Sequence, residues 1–381
     1  MKSEVQAWLH RWRGKAACPP LLGLDLGDTS VRLVELGGTP QQPVLEHLAH
    51  ETLDKGWMND GQIEAFDAVA EAVRRAVQHS GTRTRRVALA LPASSVVTQR
   101  LRLPAGLPER ALELQVAAEA QQHLPFAADE ACLDFCVLGP AAAAGEVEVL
   151  VAAARQDRVQ DRQGLAEAAG LEAVVLDMAS HAAHRALARI AAVWAAEDQA
   201  AVLQAAPGSS GQDGPGGAMP LALFEIGAFS TTLKLLRGEE LLHERDLPVG
   251  GAQLTRLIAR QCGLGFEEAE RLKRAGTLPE AITPELQAGF VDGLAQELAR
   301  ALQIGFTSSP CHHVRGVVLA GATAALPGLQ VRVGQLTGFE TRLANPFEAM
   351  SFGPAVPAAR ALREAPGCLK ACGLALRRFL P

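Results

Sequence analysis

The sequence predicts an α/β fold of two related lobes, with a small α+β subdomain inserted into the first lobe. Three observations predict it. A β-hairpin with the same acid-x-glycine pattern occurs at residues 21–36 and again at 222–236. The segment 86–178 alternates pairs of short strands with helices, as a compact α+β unit does. A length of 381 residues is long for one hydrophobic core and sufficient for two.

The first hairpin consists of two apolar runs, Leu21–Leu26 and Val31–Leu36. The residues between them, Gly, Asp, Thr and Ser, are the types that tight turns favour. A helix is predicted over 61–79, with Gly81 just beyond its end, because apolar residues recur there at helical spacing: Ile63, Phe66, Val69, Val73 and Val77.

The small subdomain is predicted from alternating strand and helix signals. Its helix after Pro108 is bounded by Pro125, since proline is tolerated in the first turn of a helix but not in its interior. The predicted elements are strands Val87–Leu91 and Val96–Leu103, that helix, strands Leu133–Val137 and Val147–Ala152, a helix over Arg158–Ala169 and a strand over Ala173–Leu176.

The second lobe begins with a second hairpin, whose strands are Ala222–Ile226 and Thr231–Leu236. A buried strand is predicted over Gly316–Ala320, and helices are predicted over Gln253–Cys262, Phe266–Ala275 and Glu285–Ile304. The predicted bounds are 21–85 and 179–204, with a closing helix in 356–381, for the first lobe, 86–178 for the small subdomain and 219–355 for the second lobe.

Two further segments carry no core pattern. Residues 205–218 are rich in Gly, Pro and Ser and are predicted to be a flexible loop. Residues 1–20 form a leader that is locally basic and has apolar residues at helical spacing. Docking on an anionic membrane surface or a partner fits this leader, and so does a helix packed on its own domain or a frayed terminus.

Composition excludes several classes of protein. A net charge of -6 argues against a general nucleic-acid binder, which needs a basic surface. The sequence has no run of about eighteen apolar residues that would span a membrane, and no secretory signal pattern at its start. Seven scattered cysteines favour reduced, mostly buried thiols over disulfides or a zinc site.

The two hairpins match position by position. Asp25 corresponds to Glu225, Gly27 to Gly227, and Ser30 to Ser230, each 200 positions apart. Glycine lets a backbone approach a phosphate closely, and the N–H groups and hydroxyls beyond it donate to phosphate oxygens. The carboxylates suit Mg²⁺, bound directly or through water. The pattern predicts a nucleotide clamp, with these contacts: Asp28, Thr29, Ser30 and Arg32 in the first hairpin, and Ser230 and Thr231 in the second.

Three other places fit the same predicted cleft. Gly250 and Gly251 precede a helix and suit a position beneath a base or ribose. Glu270 and Lys273 lie three apart on one helix face, where they either grip the ribose and base or form a solvated salt bridge. Finally, the segment after the buried strand allows the close backbone approach that a base needs, at Gly321 and Ala322.

In this order the motifs resemble the actin-like ATPases, whose fold is bilobed, duplicated and ribonuclease H-like. Within that group the chain is similar to the PilM family of type IV pilus assembly, from about residue 21 to the C-terminus. The stretches that carry this closer resemblance are Leu91–Thr98, Glu119–Phe126, Ala152–Arg155, Ala344–Phe347 and Ala371–Arg378.

The resemblance implies ATP binding with Mg²⁺ and a cytoplasmic location at the inner face of the cytoplasmic membrane. It implies docking of the N-terminal cytoplasmic peptide of PilN in a groove between the first lobe and the small subdomain. It further implies indirect contact, through PilN, with PilO and the pilus motor ATPases, in a machine that serves twitching motility.

This chain departs from the family pattern at four positions. Glu225 stands where Asp is common, Arg32 where Lys is common, and Ala322 where a second Gly is usual. Ala179 stands two residues after Asp177, where a polar residue is expected to position an attacking water. These departures predict nucleotide binding with weak or absent hydrolysis.

Other hypotheses remain open on the sequence. A small-molecule kinase of the same superfamily needs a catalytic base at an acceptor pocket, and no separate acidic motif supplies one. A membrane tether like the cell-division protein FtsA needs a detachable C-terminal amphipathic helix, whereas the apolar segment 369–380 follows Pro366 and Gly367 directly. A type II secretion relative would be the cytoplasmic part of a longer membrane protein.

Overall fold

The computed structural model describes residues 19–143, 145–204, 219–238, 240–277 and 281–380. The predicted flexible loop 205–218 lies outside these ranges, as does the predicted leader except for its last two residues. Among the described residues, no helix is both long enough and apolar enough to cross a bilayer.

The strands, in chain order, are β1 (Leu22–Gly27), β2 (Ser30–Gly38), β3 (Pro43–Thr52), β4 (Met58–Asn59), β5 (Gln62–Ile63), β6 (Arg86–Leu91), β7 (Val96–Pro104), β8 (Ala131–Pro140), β9 (Glu146–Arg155), β10 (Glu172–Met178), β11 (Leu221–Ile226), β12 (Thr231–Arg237), β13 (Glu240–Leu247), β14 (Gly316–Ala320), β15 (Thr341–Leu343) and β16 (Ser351–Phe352). The helices are α1 (Phe66–Ser80), α2 (Glu109–Ala120), α3 (Gln156–Ala168), α4 (Ala179–Gln204), α5 (Ala252–Cys262), α6 (Phe266–Ala275), α7 (Pro284–Ser308), α8 (Leu329–Thr337), α9 (Ala358–Glu364) and α10 (Leu369–Ala375).

The first lobe is built on a sheet with the strand order β10-β6-β1-β2-β3-β16. One face is covered by α1, whose Val69, Val73 and Val77 are buried against Leu24 and Leu33 of the sheet. α1 begins at Phe66 and not at 61 as predicted, because the residues before it form the short hairpin β4–β5. The apolar spacing in the sequence begins at Ile63, one turn before the helix, because Ile63 packs on the same core from that hairpin.

The other face of the first sheet is covered by α10. A methyl group at Gly23 of β1 would collide with the carbonyl oxygen of Ala371, and one at Gly373 would collide with that of Ala182 in α4. Glycine at these two positions therefore lets β1, α10 and α4 pack with their backbones in contact. The predicted C-terminal helix is thus part of the first lobe's core.

The second lobe has a sheet with the order β13-β12-β11-β14-β15. One face buries α7 and α8, in a cluster that includes Phe224, Leu298 and Val333. The opposite face packs on α4, where Ile190 and Trp194 are buried. α4 and α10 therefore lie between the two sheets and connect the lobes.

The small subdomain is smaller than the predicted segment 86–178. β6 and β10 pair with each other and with β1 in the first lobe's sheet, and Leu165 of α3 belongs to that lobe's core. What remains is the sheet β7-β9-β8 with α2, packed through Leu101, Leu103, Val116 and Val149. Short apolar strands have the same sequence pattern whichever sheet they join. Strand pairing alone therefore distinguishes strands of the first lobe from strands of the small subdomain.

The predicted end of the second lobe, residue 355, is also too late. β16 pairs with β3 in the first lobe's sheet. Phe347, Met350 and Val356 are buried in the first lobe, in a cluster with Cys368 and Cys372. The chain therefore returns to the first lobe soon after β15.

The described cysteines form no disulfide. Cys368 and Cys372 are buried, as their apolar stretch predicted, and Cys311 is buried as well. Cys136 is exposed, so the prediction is wrong there, because the outer face of β8 is open to solvent. Within the described ranges, no group of His, Cys, Asp and Glu side chains is arranged to hold a metal ion.

Candidate functional site

The two hairpins have the same register. In the first, Leu26 lies opposite Val31 and Asp25 opposite Arg32. In the second, Ile226 lies opposite Thr231 and Glu225 opposite Thr232. Each residue of the first hairpin therefore has its structural counterpart 200 positions later, which is the relationship that the sequence predicted.

The first loop is braced by its neighbours and open at its glycine. The Asp28 carboxylate accepts a hydrogen bond from the Gly61 N–H at 3.2 Å, and the Leu53 N–H donates to the Thr29 carbonyl at 3.0 Å. A Cβ at Gly27 would meet no atom closer than the Ser30 carbonyl oxygen at 3.4 Å. Packing within the protein therefore does not require glycine at this position.

The second loop rests on the predicted glycine pair. The Gly251 N–H donates to the Gly227 carbonyl at 3.0 Å, and the Ala252 N–H donates to that of Ala228 at 2.7 Å. A Cβ at Gly250 would lie 2.7 Å from the same Gly227 oxygen, so packing of loop on loop explains this glycine. The Thr323 hydroxyl also donates to Gly227, at 3.2 Å.

Two lysines hold the carboxylate of Glu225. The Lys234 ammonium lies 2.6 Å from one carboxylate oxygen, and the Lys370 ammonium lies 3.3 Å from the other. Burial by itself raises the pKa of Glu225, but the two ammonium groups outweigh it and lower that pKa to about 2. The carboxylate is therefore ionised and fully paired.

This pairing does not fit the predicted metal role of Glu225. Mg²⁺ needs oxygen ligands that are free to point at it, and both oxygens of Glu225 already face ammonium groups. A divalent ion between Asp25 and Glu225 would also face the charge of Lys370. The sequence could not anticipate this, because Lys370 lies 145 residues beyond Glu225.

Asp25 lies on the face of β1 that α10 covers, two residues beyond Gly23. Burial is the main influence on its carboxyl and raises the pKa, while Lys370 and Arg32 act in the opposite direction. Glu225 raises the pKa of Asp25 further, so the two acids are electrostatically coupled across the interface between the lobes. Lys370 is the cation that both acids share.

Glu270 and Lys273 form part of a network that is mostly buried. The Lys273 ammonium donates to the Glu270 carboxylate at 2.6 Å, to the Thr255 hydroxyl at 2.8 Å and to the Gly251 carbonyl at 3.1 Å. Burial lowers the pKa of Lys273, against the opposing charge of Glu270. The pair therefore ties α6 to the glycine pair at the start of α5 and is not a solvated surface bridge.

A cleft of about 570 Å³ separates α6 from the first hairpin. Arg274 of α6 crosses it, donating to the Thr29 carbonyl at 3.1 Å and to Glu270 at 2.8 Å. Lys55 of the first lobe lies over the ring of Phe266, 5.4 Å from its centroid. The lobes therefore meet beside the predicted site, and the cleft has polar and charged walls.

Of the predicted contacts, Thr29 and Glu270 line this cleft, and the others are not among its lining residues. Ser30 is buried, and the buried Thr231 hydroxyl donates to the Val249 carbonyl at 2.7 Å. The Arg32 guanidinium packs against Gly367. Gly321 has a φ of 93°, and a methyl group there would collide with the carbonyl of Ile226. Ala322, next to it, is exposed.

Sequence reasoning missed Lys234, Lys370, Arg274 and Thr323. Two of them had a signal, because Lys234 interrupts an apolar strand and Lys370 interrupts an apolar helix. A charge within an apolar run predicts a buried partner, although it does not say which one. Arg274 stands among other polar residues and gives no such signal, and Thr323, although flanked by alanines, lies in a turn after a buried strand, where a hydroxyl residue is ordinary.

The fold and the paired loops define an actin-like protein: two lobes of related topology, each opened by an equivalent hairpin, with a small subdomain inserted into the first. The ethanolamine utilization protein EutJ from Carboxydothermus hydrogenoformans has the same fold, with a TM-score of 0.52 and 18% identity over 94% of this chain and 89% of that one.

The chain belongs to the type IV pilus assembly protein PilM family, whose pattern matches residues 23–379. It is similar to a solved PilM-PilN type IV pilus biogenesis complex, with 30% identity, a TM-score of 0.70 and coverage of 96% of this chain and 100% of that one. The cell division protein FtsA of Bacillus subtilis is 26% identical over 152 residues, which span 33% of this chain and 34% of that protein. The match thus covers about a third of FtsA.

Proposed function

We propose that this chain is an ATP-binding scaffold of the type IV pilus inner-membrane assembly platform, and that it docks the N-terminal cytoplasmic peptide of PilN. The observation that carries the nucleotide part is the pair of hairpins in equal register, whose acids share Lys370. Membership of the PilM family supports the pilus part.

In this proposal the phosphates of ATP lie against the loops at Gly27 and Gly227, where backbone N–H groups approach them. The open space at Gly27 supports this placement. The nucleoside would extend toward Gly251 and α6, where Glu270 borders the cleft and Lys273 joins Glu270 to Gly251. Ser30 and Thr231 would act by holding the loops, since their side chains are buried.

Two features support weak or absent ATP hydrolysis. The Glu225 carboxylate is paired with two ammonium groups and is poorly suited to hold a metal or to accept a proton. α4 begins at Ala179, which offers no polar side chain to an attacking water, while the nearby Asp177 pairs with Arg185 at 3.1 Å. ATP would then act as a ligand that holds the lobes together.

The PilN peptide would dock where the small subdomain meets the first lobe. Ile63 of β5 lies on the first-lobe side of this junction. Phe66 at the start of α1, three residues further along the chain, is 40% exposed. Pro92 and Ser95 lie on the other side. The solved PilM-PilN complex supports PilN as the partner. Through PilN the chain would be linked to PilO and the motor ATPases at the inner face of the cytoplasmic membrane, in twitching motility.

The alternative of a C-terminal membrane tether receives no support from the packing. Leu374 and Leu376 are buried in the first lobe, so the segment that contains them is not available to a bilayer. No observation favours a small-molecule kinase.

Calorimetry with the purified chain tests the two halves of the proposal separately. One titration uses ATP, with and without Mg²⁺, and the other uses a synthetic PilN N-terminal peptide. We expect saturable binding in both titrations and release of phosphate no faster than the background. Absence of ATP binding would remove the nucleotide half, and absence of peptide binding would remove the partner half.

A further inference from the structure

We infer that Lys370 takes the place of a metal ion between the two hairpin acids, so that the triphosphate binds without a requirement for Mg²⁺. This inference deepens the proposed function and rests on its nucleotide half. It starts from one observation. The sequence predicted that Asp25 and Glu225 hold a metal ion, but the Glu225 oxygens that would bind it already face two lysine ammonium groups.

The charges at the site balance without a metal. Lys234 lies between Glu225 and Glu244, Lys370 pairs with the second oxygen of Glu225, and Arg32 lies opposite Asp25, so each of these acids has a side-chain cation beside it. An uncompensated pair of carboxylates would repel a triphosphate strongly, which is why such sites employ a divalent cation. Here side-chain cations already offset that repulsion, since both oxygens of Glu225 face ammonium groups.

The two lysines differ in what they can reach. Lys234 is 5% exposed and lies 3.7 Å from Glu244 as well, so it is enclosed between two acids. The side chain of Lys370 is 35% exposed. Its ammonium pairs with a single Glu225 oxygen at 3.3 Å, which leaves other N–H groups for a phosphate oxygen.

The backbone fixes the position of Lys370. It is the second residue of α10, and α10 is held on β1 by the contact of Gly23 with Ala371. The preceding turn is held to the second lobe, because the Gly321 N–H donates to the Pro366 carbonyl at 2.6 Å. The ammonium is thus anchored to both lobes, as a bound metal would be.

The test compares ATP affinity in excess EDTA with ATP affinity in Mg²⁺, by calorimetry on the full chain. For the wild type we expect the two dissociation constants to agree within about threefold. For Lys370→Met we expect affinity in EDTA to fall by about tenfold or more, the cost of removing one charge contact with phosphate. Lys370→Arg keeps the charge and should retain binding in EDTA.

The matched control is Arg363→Met, which removes one exposed positive charge from the same C-terminal region. Its dissociation constants for ATP in EDTA and in Mg²⁺ should equal those of the wild type. The inference is overturned if the wild type binds ATP more than about tenfold more weakly in EDTA than in Mg²⁺. It is also overturned if Lys370→Met has the same ratio of the dissociation constant in EDTA to that in Mg²⁺ as the wild type. If the wild type binds ATP under neither condition, the proposed nucleotide function itself fails, and the inference fails with it.

Discussion

The Lys234 ammonium lies 2.6 Å from the Glu225 carboxylate, on neighbouring strands of the second lobe and almost out of contact with water. Breaking a buried ion pair leaves one charge without a partner, which is far more costly than losing an exposed pair. This contact links the hairpin acid to the stability of the lobe.

A double-mutant cycle measures that link. We expect Lys234→Met and Glu225→Gln each to destabilise the chain by about 3 kcal/mol, and the double variant to lose about 2 kcal/mol less than their sum. Urea unfolding at pH 7.5 gives these values. The surface pair Arg300 and Glu297, 3.4 Å apart, serves as the control cycle and should show coupling below about 0.5 kcal/mol. Equal coupling in both cycles would contradict the prediction.

Two glycines of similar sequence appearance should respond oppositely to alanine. Gly23→Ala places a methyl group into the Ala371 carbonyl and should destabilise the first lobe by about 3 kcal/mol. Gly289→Ala, on the exposed side of the second turn of α7, where an added methyl group would meet no atom within 4 Å, should stabilise the chain by about 0.5–1 kcal/mol because alanine favours the helix. Thermal unfolding checks both, and a stable Gly23→Ala variant would show that α10 does not pack on β1 as described.

Two half-buried histidines, His50 and His184, predict a loss of stability in mild acid. Burial lowers the pKa of His50 to about 3 and that of His184 to about 4, from an ordinary value of 6.5. The unfolded chain therefore takes up protons that the folded chain does not. The free energy of unfolding is therefore unaffected by these histidines above pH 6.5. It falls progressively as the pH drops toward 4, by about 1–2 kcal/mol per histidine at pH 5.

Urea unfolding at pH 7.5 and pH 5 measures this effect. Replacing His50 and His184 together by Gln should flatten the dependence on pH, whereas replacing the exposed His123 by Gln should leave it unchanged. The same dependence on pH in all three proteins would place the responsible groups elsewhere.

Gly27→Ala should separate nucleotide binding from stability. The added methyl group would lie 3.4 Å from the Ser30 carbonyl, an ordinary contact, so the melting temperature should change little. On the cleft side it would stand where a phosphate approaches the backbone, and ATP affinity should fall by about tenfold. Calorimetry and thermal unfolding on the same preparation decide this. A variant that binds ATP normally would place the phosphates away from this loop.

PilN binding should depend on the junction of the small subdomain with the first lobe. Phe66→Glu places a charge on an exposed apolar side chain three residues beyond Ile63 of this junction and should weaken binding of the PilN peptide by about tenfold, with ATP affinity retained. Leu114→Glu is the matched control, since Leu114 is 69% exposed on α2 of the small subdomain. Equal losses in the two variants would mean that the peptide binds elsewhere.

The paired hairpins, most helices and the family could be predicted from the sequence because they depend on local patterns. An acid, a glycine and flanking apolar runs specify a hairpin wherever they occur, and the spacing of 200 positions made the duplication visible. The glycines at 27 and 227 are at the loops where the sequence placed them.

Only the tertiary structure decided which sheet each strand joins and which charges meet. β6 and β10 look like strands of the small subdomain until their pairing with β1 is known. Lys370 and Glu225 are far apart in the chain and meet because α10 packs between the sheets. Periodicity reports which face of an element is buried, whereas the partner on that face is set by the packing of the whole chain.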